Sequence, residues 1–383
     1  MIESMSLDAH VVSGLRHSMS DRADLALRDF DRALALDPGH IVARQGRAAA
    51  LMALGDYAGA YAATLGVLAD RHGSRWWPKP AKAIHGEPFV QSSAVKLRHD
   101  RDQLRHLADL GLLPPGAAEL APAFDQVLAE VEGSTRINRV VDLTPAQQRR
   151  LADGYNRVIH LDPGPRVPGN AVTATWDRDE AAGRYRRERI AVVDGLLGAE
   201  ALTALRRFCL DSTIWFDTEH ARGARGYIGA DGMDGLACPL LFQIAEELRR
   251  ALPEVIGTLP LIKLWAFKYD HTLQGIDAHA DAARVNVNFW ITPDEACIDP
   301  TIGGMTVYDK PVPADWDFES YNADPTALLR HVRAAGAEAI QVPYRQNRAV
   351  IFDSALIHAT QPLRFRSGYA NRRINLTLLY GRR

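Results

Sequence analysis

The sequence is poor in cysteine, in long apolar runs and in net charge, and each shortage removes a class of function. Only three cysteines occur in 383 residues, Cys209, Cys238 and Cys297. They are widely spaced, odd in number and form no CxxC, which excludes a disulfide framework and the spacing of a structural zinc site. No apolar run approaches the ~20 residues of a membrane span, and the start of the chain carries no signal-like apolar stretch. Lys and Arg number 45 against 47 Asp and Glu, a net charge of −2, so neither nucleic acid nor an acidic lipid surface is an expected partner. Reduced thiols in a cytoplasmic protein, with no membrane attachment, are the consistent expectation. With 47% hydrophobic and 24% charged residues the chain has ordinary core-forming composition, and its length predicts two or three domains at roughly 150 residues each.

What is present divides the chain in two. In the first part Gly14, Ala26, Phe30, Ala33 and Pro38 occupy the small, aromatic and proline positions of a 34-residue tetratricopeptide pattern, and Ala48 and Ala60 repeat Gly14 and Ala26 one period later. Such repeats are helical hairpins that bury their faces only when about three or more stack. Two therefore need support, and the helical patterns over 92–111 and 114–132 are expected to give it. Between the repeats and that support, Trp76 and Trp77 are expected to close off the array.

The second part carries the chemistry. After the strand-like run LIKLWAFKY come His279 and Asp281, one residue apart and on one side of an extended chain. Arg284, Asn286, Asn288 and Trp290 then alternate with Val285, Val287, Phe289 and Ile291, a strand with one polar and one apolar face. RAVIFDSALIH delivers His358. RINLTLLY repeats the alternation, with Arg373, Asn375 and Thr377 on one face. Two imidazoles and a carboxylate on neighbouring strands cover one face of a metal octahedron and leave the other open, the arrangement of non-haem Fe(II) oxygenases. An arginine on a polar strand face suits a small dicarboxylate, which its planar fork pairs bidentately.

On these residues the chain from about 189 to 383 resembles the Fe(II)- and 2-oxoglutarate-dependent oxygenases, within them the prolyl-hydroxylase-like branch. IAVVDGLLGAEALTALRRF is similar to the opening strand and helix, LWAFKYD to the strand with a cosubstrate-binding tyrosine, HAD to the iron motif and GGMTVYD to the strand that follows it. The resemblance implies a double-stranded β-helix (jelly roll) with flanking helices, hence an α+β multidomain chain: helical region 1–132, connection 133–188, oxygenase 189–383. It implies iron ligands at His279, Asp281 and His358, the far carboxylate of 2-oxoglutarate on Arg373, and further cosubstrate contacts from Tyr269 and Asn288. The cofactors implied are Fe(II), 2-oxoglutarate and O2, and the reaction is hydroxylation of a C–H bond. The interval from His358 to Arg373 is longer than in that branch, with Arg364, Arg366 and Arg372 nearby; Arg373 is favoured because it leads the alternating strand, and Arg372 is expected to point the opposite way.

Several features are read as bystanders or accessories. His160 and Asp162 repeat the His-x-Asp spacing in a Pro- and Gly-rich connector with no strand after them, and are expected to be surface polar residues. His99 and His106 are expected to be solvated. The glycines from Gly223 to Gly235 suggest a mobile or tightly turning segment. The insertion between Tyr308 and Val342, with Trp316, Phe318 and Tyr321, is expected to be a lid or binding loop. The helical region is expected to recruit a protein or peptide whose side chain is hydroxylated. The alternatives are a small-molecule substrate with the helices serving a homodimer, and an inactive binding scaffold.

Overall fold

The computed structural model describes residues 6–73, 91–134, 140–219, 226–313, 316, 322 and 324–383. Trp76, Trp77, Gly223, Phe318 and Tyr321 lie outside them.

The chain opens with two helical hairpins, α1 (Leu7–Met19) with α2 (Ala23–Leu36) and α3 (Ile41–Leu54) with α4 (Tyr57–His72). Side chains set the starts: Ser6, His40 and Asp56 each accept a backbone N–H of the first turn, groups with no partner inside the helix. Ala26, Phe30, Ala33, Ala48 and Ala60 are fully buried, as the repeat pattern requires. Phe30 is the reason for the small residues around it. A Cβ on Gly14 would lie 2.7 Å from its ring and one on Gly46 2.3 Å, so α1 and α3 close on α2 only where they carry no side chain.

The short strand β1 (Gln91–Ser93) pairs with β2 (Val140–Asp142) around the hairpin α5 (Ala94–Asp109) and α6 (Leu120–Ser134). Together with α7 (Pro145–Leu151), started by a Thr144–Gln147 capping box, this hairpin buries a small apolar core of its own around Phe124 and Leu128. The expectation that it supports the first two hairpins is corrected: Ala48, Leu51, Met52, Tyr57 and Ala60 instead join the core of the β-sheet half.

That half follows α8 (Arg178–Glu188). Its strands are β3 (Ile190–Asp194), β4 (Asp217–Glu219), β5 (Tyr227–Asp231), β6 (Leu261–Tyr269), β7 (Ala283–Trp290), β8 (Met305–Pro311), β9 (Ala339–Val342), β10 (Arg348–Asp353), β11 (Leu356–Thr360) and β12 (Arg373–Arg382). Helices α9 (Ala199–Asp211), α10 (Pro239–Ala251) and α11 (Pro325–Ala334) are interspersed. One sheet runs β3-β10-β7-β12-β6-β5-β4 and the second β11-β8-β9, all neighbours antiparallel. The apolar faces of β7 and β12 share one core with α9 and α10; their polar faces turn the other way. This is the jelly roll with flanking helices behind a helical N-terminal region.

The hairpins are fastened to the sheet half by specific contacts. Tyr57 stacks on Phe242 of α10 with ring centroids 4.7 Å apart, and His72 on Phe216 at 3.6 Å. Asp234 receives Arg71 at 2.6 Å and His72 at 3.1 Å.

Two local expectations change, and two further stretches take regular structure. Asp162 is buried, accepting from the Gly164 amide and from Arg207, so it organises the connector instead of decorating the surface. His99 is fully buried and His106 is bonded to Asp211, because α5 docks on the sheet half with that face. In the glycine-rich stretch Tyr227–Asp231 form β5, paired to β6, and the tight turn follows at Gly232–Asp234, closed by Gly235 at φ 109°. The insertion after Tyr308 supplies α11, with Leu328 and Val332 buried, and β9, paired to β8; Trp316 packs 5.2 Å from His331.

Since Phe30 fills the space of two absent side chains, Gly46→Ala is expected to lower stability by about 1–3 kcal/mol through overpacking, despite the better helix propensity of alanine. Chemical denaturation checks this, and Phe30→Leu in the same chain should recover part of the loss.

Candidate active site

His279 and Asp281 lie just ahead of β7, and His358 sits in β11. The backbones at His279 and His358 exchange two hydrogen bonds, 2.9 and 2.8 Å, and the Asp281 amide donates to the Ser354 carbonyl at 3.0 Å. Those three bonds bring distant parts of the chain to one point. The side-chain donor atoms of His279, Asp281 and His358 all lie within 4.8 Å of one another, the one such group among the described residues able to hold a metal ion.

Tautomers are fixed by the backbone. Nδ1 of His279 is 2.8 Å from the Asp277 carbonyl, and Nδ1 of His358 is 3.0 Å from that of Leu356. A carbonyl only accepts, so each Nδ1 carries the proton and each Nε2 keeps a free lone pair. Burial, followed by the charge of His279, holds His358 well below the usual histidine range, which keeps that lone pair available. Burial pushes the Asp281 carboxyl up, against the opposing pull of His279 and of a hydrogen bond from Asn286. A divalent cation would remove the burial penalty by supplying the missing charge.

These groups open into a pocket that is partly open to solvent. The register of β12 against β6 and β7 builds its wall. Arg373 faces Tyr269, Asn375 faces Phe267 and Trp290, and Thr377 faces Trp265 and Asn288; all line the pocket. Arg373 is 2% exposed. Its Nε donates to the Gly303 carbonyl at 2.7 Å, a second nitrogen reaches Gly304 at 3.3 Å, and Tyr269 hydrogen-bonds it. Burial pulls its pKa down, although a guanidinium keeps its proton in proteins. No carboxylate among the described residues pairs with it. A buried cation without a counter-charge costs several kcal/mol, and a ligand carboxylate is the group that would offset it. The indole Nε1 of Trp290, also buried and without a partner, is a second donor in the same pocket wall.

Of the other arginines considered, Arg372 turns away to Asp102 at 2.9 Å, and Arg366 donates to the Glu295 carbonyl. Arg364 does not line the pocket. Asn288 lines it, where Thr377 donates to its side-chain oxygen. Residues given no role from the sequence also build the site: Asn286, which donates to the Asp281 carboxylate, and the pocket residues Trp265 and Phe267, which follow from Tyr269 by counting back in twos along β6. A wider cleft of about 1270 Å³ beside Arg189 and Arg284 contains none of the three clustered donors, and its Asp353 is already paired with Arg189.

Residues 19–81 match the tetratricopeptide-repeat family model. No curated protein matches the sequence. In structure the chain is similar to a Pseudomonas putida prolyl-4-hydroxylase, at 16% identity and TM-score 0.33, over 56% of this chain and 99% of that one. It is similar to HygX from Streptomyces hygroscopicus, solved with nickel and 2-oxoglutarate bound, at 14% identity and TM-score 0.37, over 55% and 88%. A third likeness is the non-heme alpha ketoglutarate dependent carbocyclase SnoK from nogalamycin biosynthesis, at 13% identity and TM-score 0.43, over 56% and 87%.

The donor set makes a direct expectation. Protein incubated with Fe(II) or Ni(II) under nitrogen should retain one ion per chain by elemental mass spectrometry, and Asp281→Ala or His358→Ala should lose it. Asn286→Ala, which removes only the hydrogen bond on Asp281, should weaken binding about tenfold.

Proposed function

We propose that the chain is an Fe(II)- and 2-oxoglutarate-dependent dioxygenase that hydroxylates a C–H bond. The observation that carries this reading is one pocket holding both a His-Asp-His donor cluster and a buried, unpaired arginine. That combination fits a small molecule with a metal-chelating end and a free carboxylate, which is the shape of 2-oxoglutarate. In this reading His279, Asp281 and His358 hold the iron, Arg373 and Tyr269 bind the far carboxylate of the cosubstrate, and Asn288 lines the same space. With O2 the bound iron and 2-oxoglutarate supply oxidative decarboxylation to succinate and CO2 together with oxidation of the substrate.

The chain's own part is binding, orientation and exclusion of water. The two Nδ1–H groups, anchored on carbonyls, fix both imidazole planes. Asn286 orients the Asp281 carboxylate. Trp290 and Tyr269 lie against the Arg373 guanidinium, 5.4 and 5.2 Å from the ring centres, and keep its charge in a dry setting where a salt bridge is stronger.

The substrate we propose is a protein or peptide side chain, recruited by the helical region 1–132, which the connection 133–188 joins to the oxygenase region 189–383. The tetratricopeptide match supports it, as does a groove of about 760 Å³ lined by Leu15, Val42 and Gln45 of the helices and by Asp217, Asp231 and Lys263 of the sheet half. The groove adjoins the pocket wall, since Asp231 accepts from the Trp265 indole at 3.0 Å.

Succinate release against a panel of peptides and small metabolites tests the substrate class; stimulation by metabolites alone would overturn the peptide reading. For the cosubstrate, a charge-assisted contact to a buried carboxylate contributes about 1.5–3 kcal/mol. Arg373→Ala should therefore raise the 2-oxoglutarate requirement for turnover about tenfold or more, while Arg366→Ala leaves it unchanged.

A further inference from the structure

Arg373 binds nothing unless something holds the end of its strand. It is the first residue of β12: Arg373 lies opposite Tyr269 of β6, ladder pairing with β7 begins at Asn375, and beyond that ladder Ile291 and Thr292 bond the backbone at Ile374 and Arg372. Tyr269 is likewise the last residue of β6. Both residues that would grip the cosubstrate carboxylate thus stand at element termini.

The next residue outward from each is charged and faces the other side of the sheet. Asp270 follows Tyr269, Arg372 precedes Arg373, and both are nearly fully buried. Helix α5 lies over them. Arg98 reaches Asp270 at 3.3 Å, Asp270 is 3.8 Å from Arg372, and Arg372 donates to Asp102 at 2.9 Å. Arg98 and Asp102 are four residues apart and so share one face of the helix. The result is a chain of alternating charge, Arg98–Asp270–Arg372–Asp102, with its two ends on α5 and its two middle members on the strand ends. Among the described residues that guanidinium makes one hydrogen bond, to Asp102; its Nε and other terminal nitrogen make none. Arg101 also bonds Asp102, at 2.6 Å, which fixes the carboxylate from the helix side.

We propose that helix α5 positions the carboxylate-binding end of the pocket, with Asp102 and Arg98 as positioning residues acting through Arg372 and Asp270 on Arg373 and Tyr269. Pulling the Arg372 side chain outward sets the backbone at 372 as extended, and the alternation of a strand then directs Arg373 inward. The same holds for Asp270 and Tyr269. The helical region therefore acts on cosubstrate affinity as well as on any recruitment. This inference rests on the reading of Arg373 given above.

The test uses the full chain loaded with Ni(II), with 2-oxoglutarate binding followed by quenching of tryptophan fluorescence and metal content measured in parallel. Asp102→Ala should weaken 2-oxoglutarate about threefold to tenfold with metal content unchanged, a split that general loss of structure would not produce. Arg372→Ala should weaken 2-oxoglutarate to a similar degree, and the double variant Asp102→Ala with Arg372→Ala little further, since both act through one contact. Arg105→Ala on the exposed side of the same helix, where Arg105 pairs with Asp125, is the control and should bind as the parent does. If Asp102→Ala fails to fold, Asp102→Asn, which keeps an acceptor for Arg372 and loses the charge, takes its place with the same expected loss. Parental affinity in a folded Asp102 variant, or equal loss of metal and cosubstrate, overturns the positioning role. Parental affinity in Arg373→Ala would instead overturn the underlying assignment, so the two failures are told apart.

Discussion

Strand β12 is the constraint on which the rest of the sheet half depends. It runs between β6 and β7, bonded to both, and is buried from Arg373 through Gly381. A strand buried on both faces usually reads as continuously apolar; this one carries Arg373, Asn375 and Thr377 in a row. Such a row is tolerated where its polar groups find partners, and they do: Asn375 donates to Thr377, Thr377 to Asn288, and Arg373 to two carbonyls of the turn before β8. What stays unbalanced is the positive charge. One strand thus supplies both the centre of the core, on its Ile374, Leu376 and Leu378 side, and the demand for an anionic ligand on the other.

Much of this was legible in the sequence because it obeys short periods. Alternation in twos placed Arg373, Asn375, Thr377, Asn288 and Trp290 on pocket-facing positions, and the 34-residue repeat identified Ala26 and Ala33, which share a core with Phe30, and Ala48 and Ala60, which join the core of the sheet half. The docking of α5 was not legible. His99 and His106 looked like solvated helix residues because nothing local distinguishes a polar helix face that meets water from one that meets a polar sheet face. Asp102 and Arg372 are 270 positions apart, and a single long-range charge pair leaves no periodic trace. The same limit explains the misplaced support for the first hairpins: their apolar faces were readable, but not what would cover them.

The α5 interface is polar to an unusual depth. Burial, with the charges of Lys268, Arg372 and Lys96 around it, holds His99 well below the ordinary histidine range, so it is neutral. Burial pulls Lys268 well down too; its ammonium group lies 2.7 Å from the Tyr369 hydroxyl and 4.1 Å from the Trp215 ring centre. Replacing such groups by apolar side chains is often neutral or favourable for stability, whereas losing one member of a pair is costly. Networks of this kind define which of several similar packings is adopted. Here the choice concerns the angle at which a helix crosses the ends of β6 and β12.

The core that α3 and α4 share with α10 has a consequence for anything held by the hairpins. A recognition module on a flexible linker raises the local concentration of its cargo over a broad range of distances. Tyr57 stacked on Phe242 and His72 stacked on Phe216 allow no such range. If these helices hold cargo, as proposed, it would meet the pocket at a single separation and angle, and the attachment would work as a ruler and not as a leash. A segment whose reactive side chain fell a few residues short or long of that separation would gain nothing from being held, and selectivity among such targets would follow from chain length as much as from side-chain chemistry.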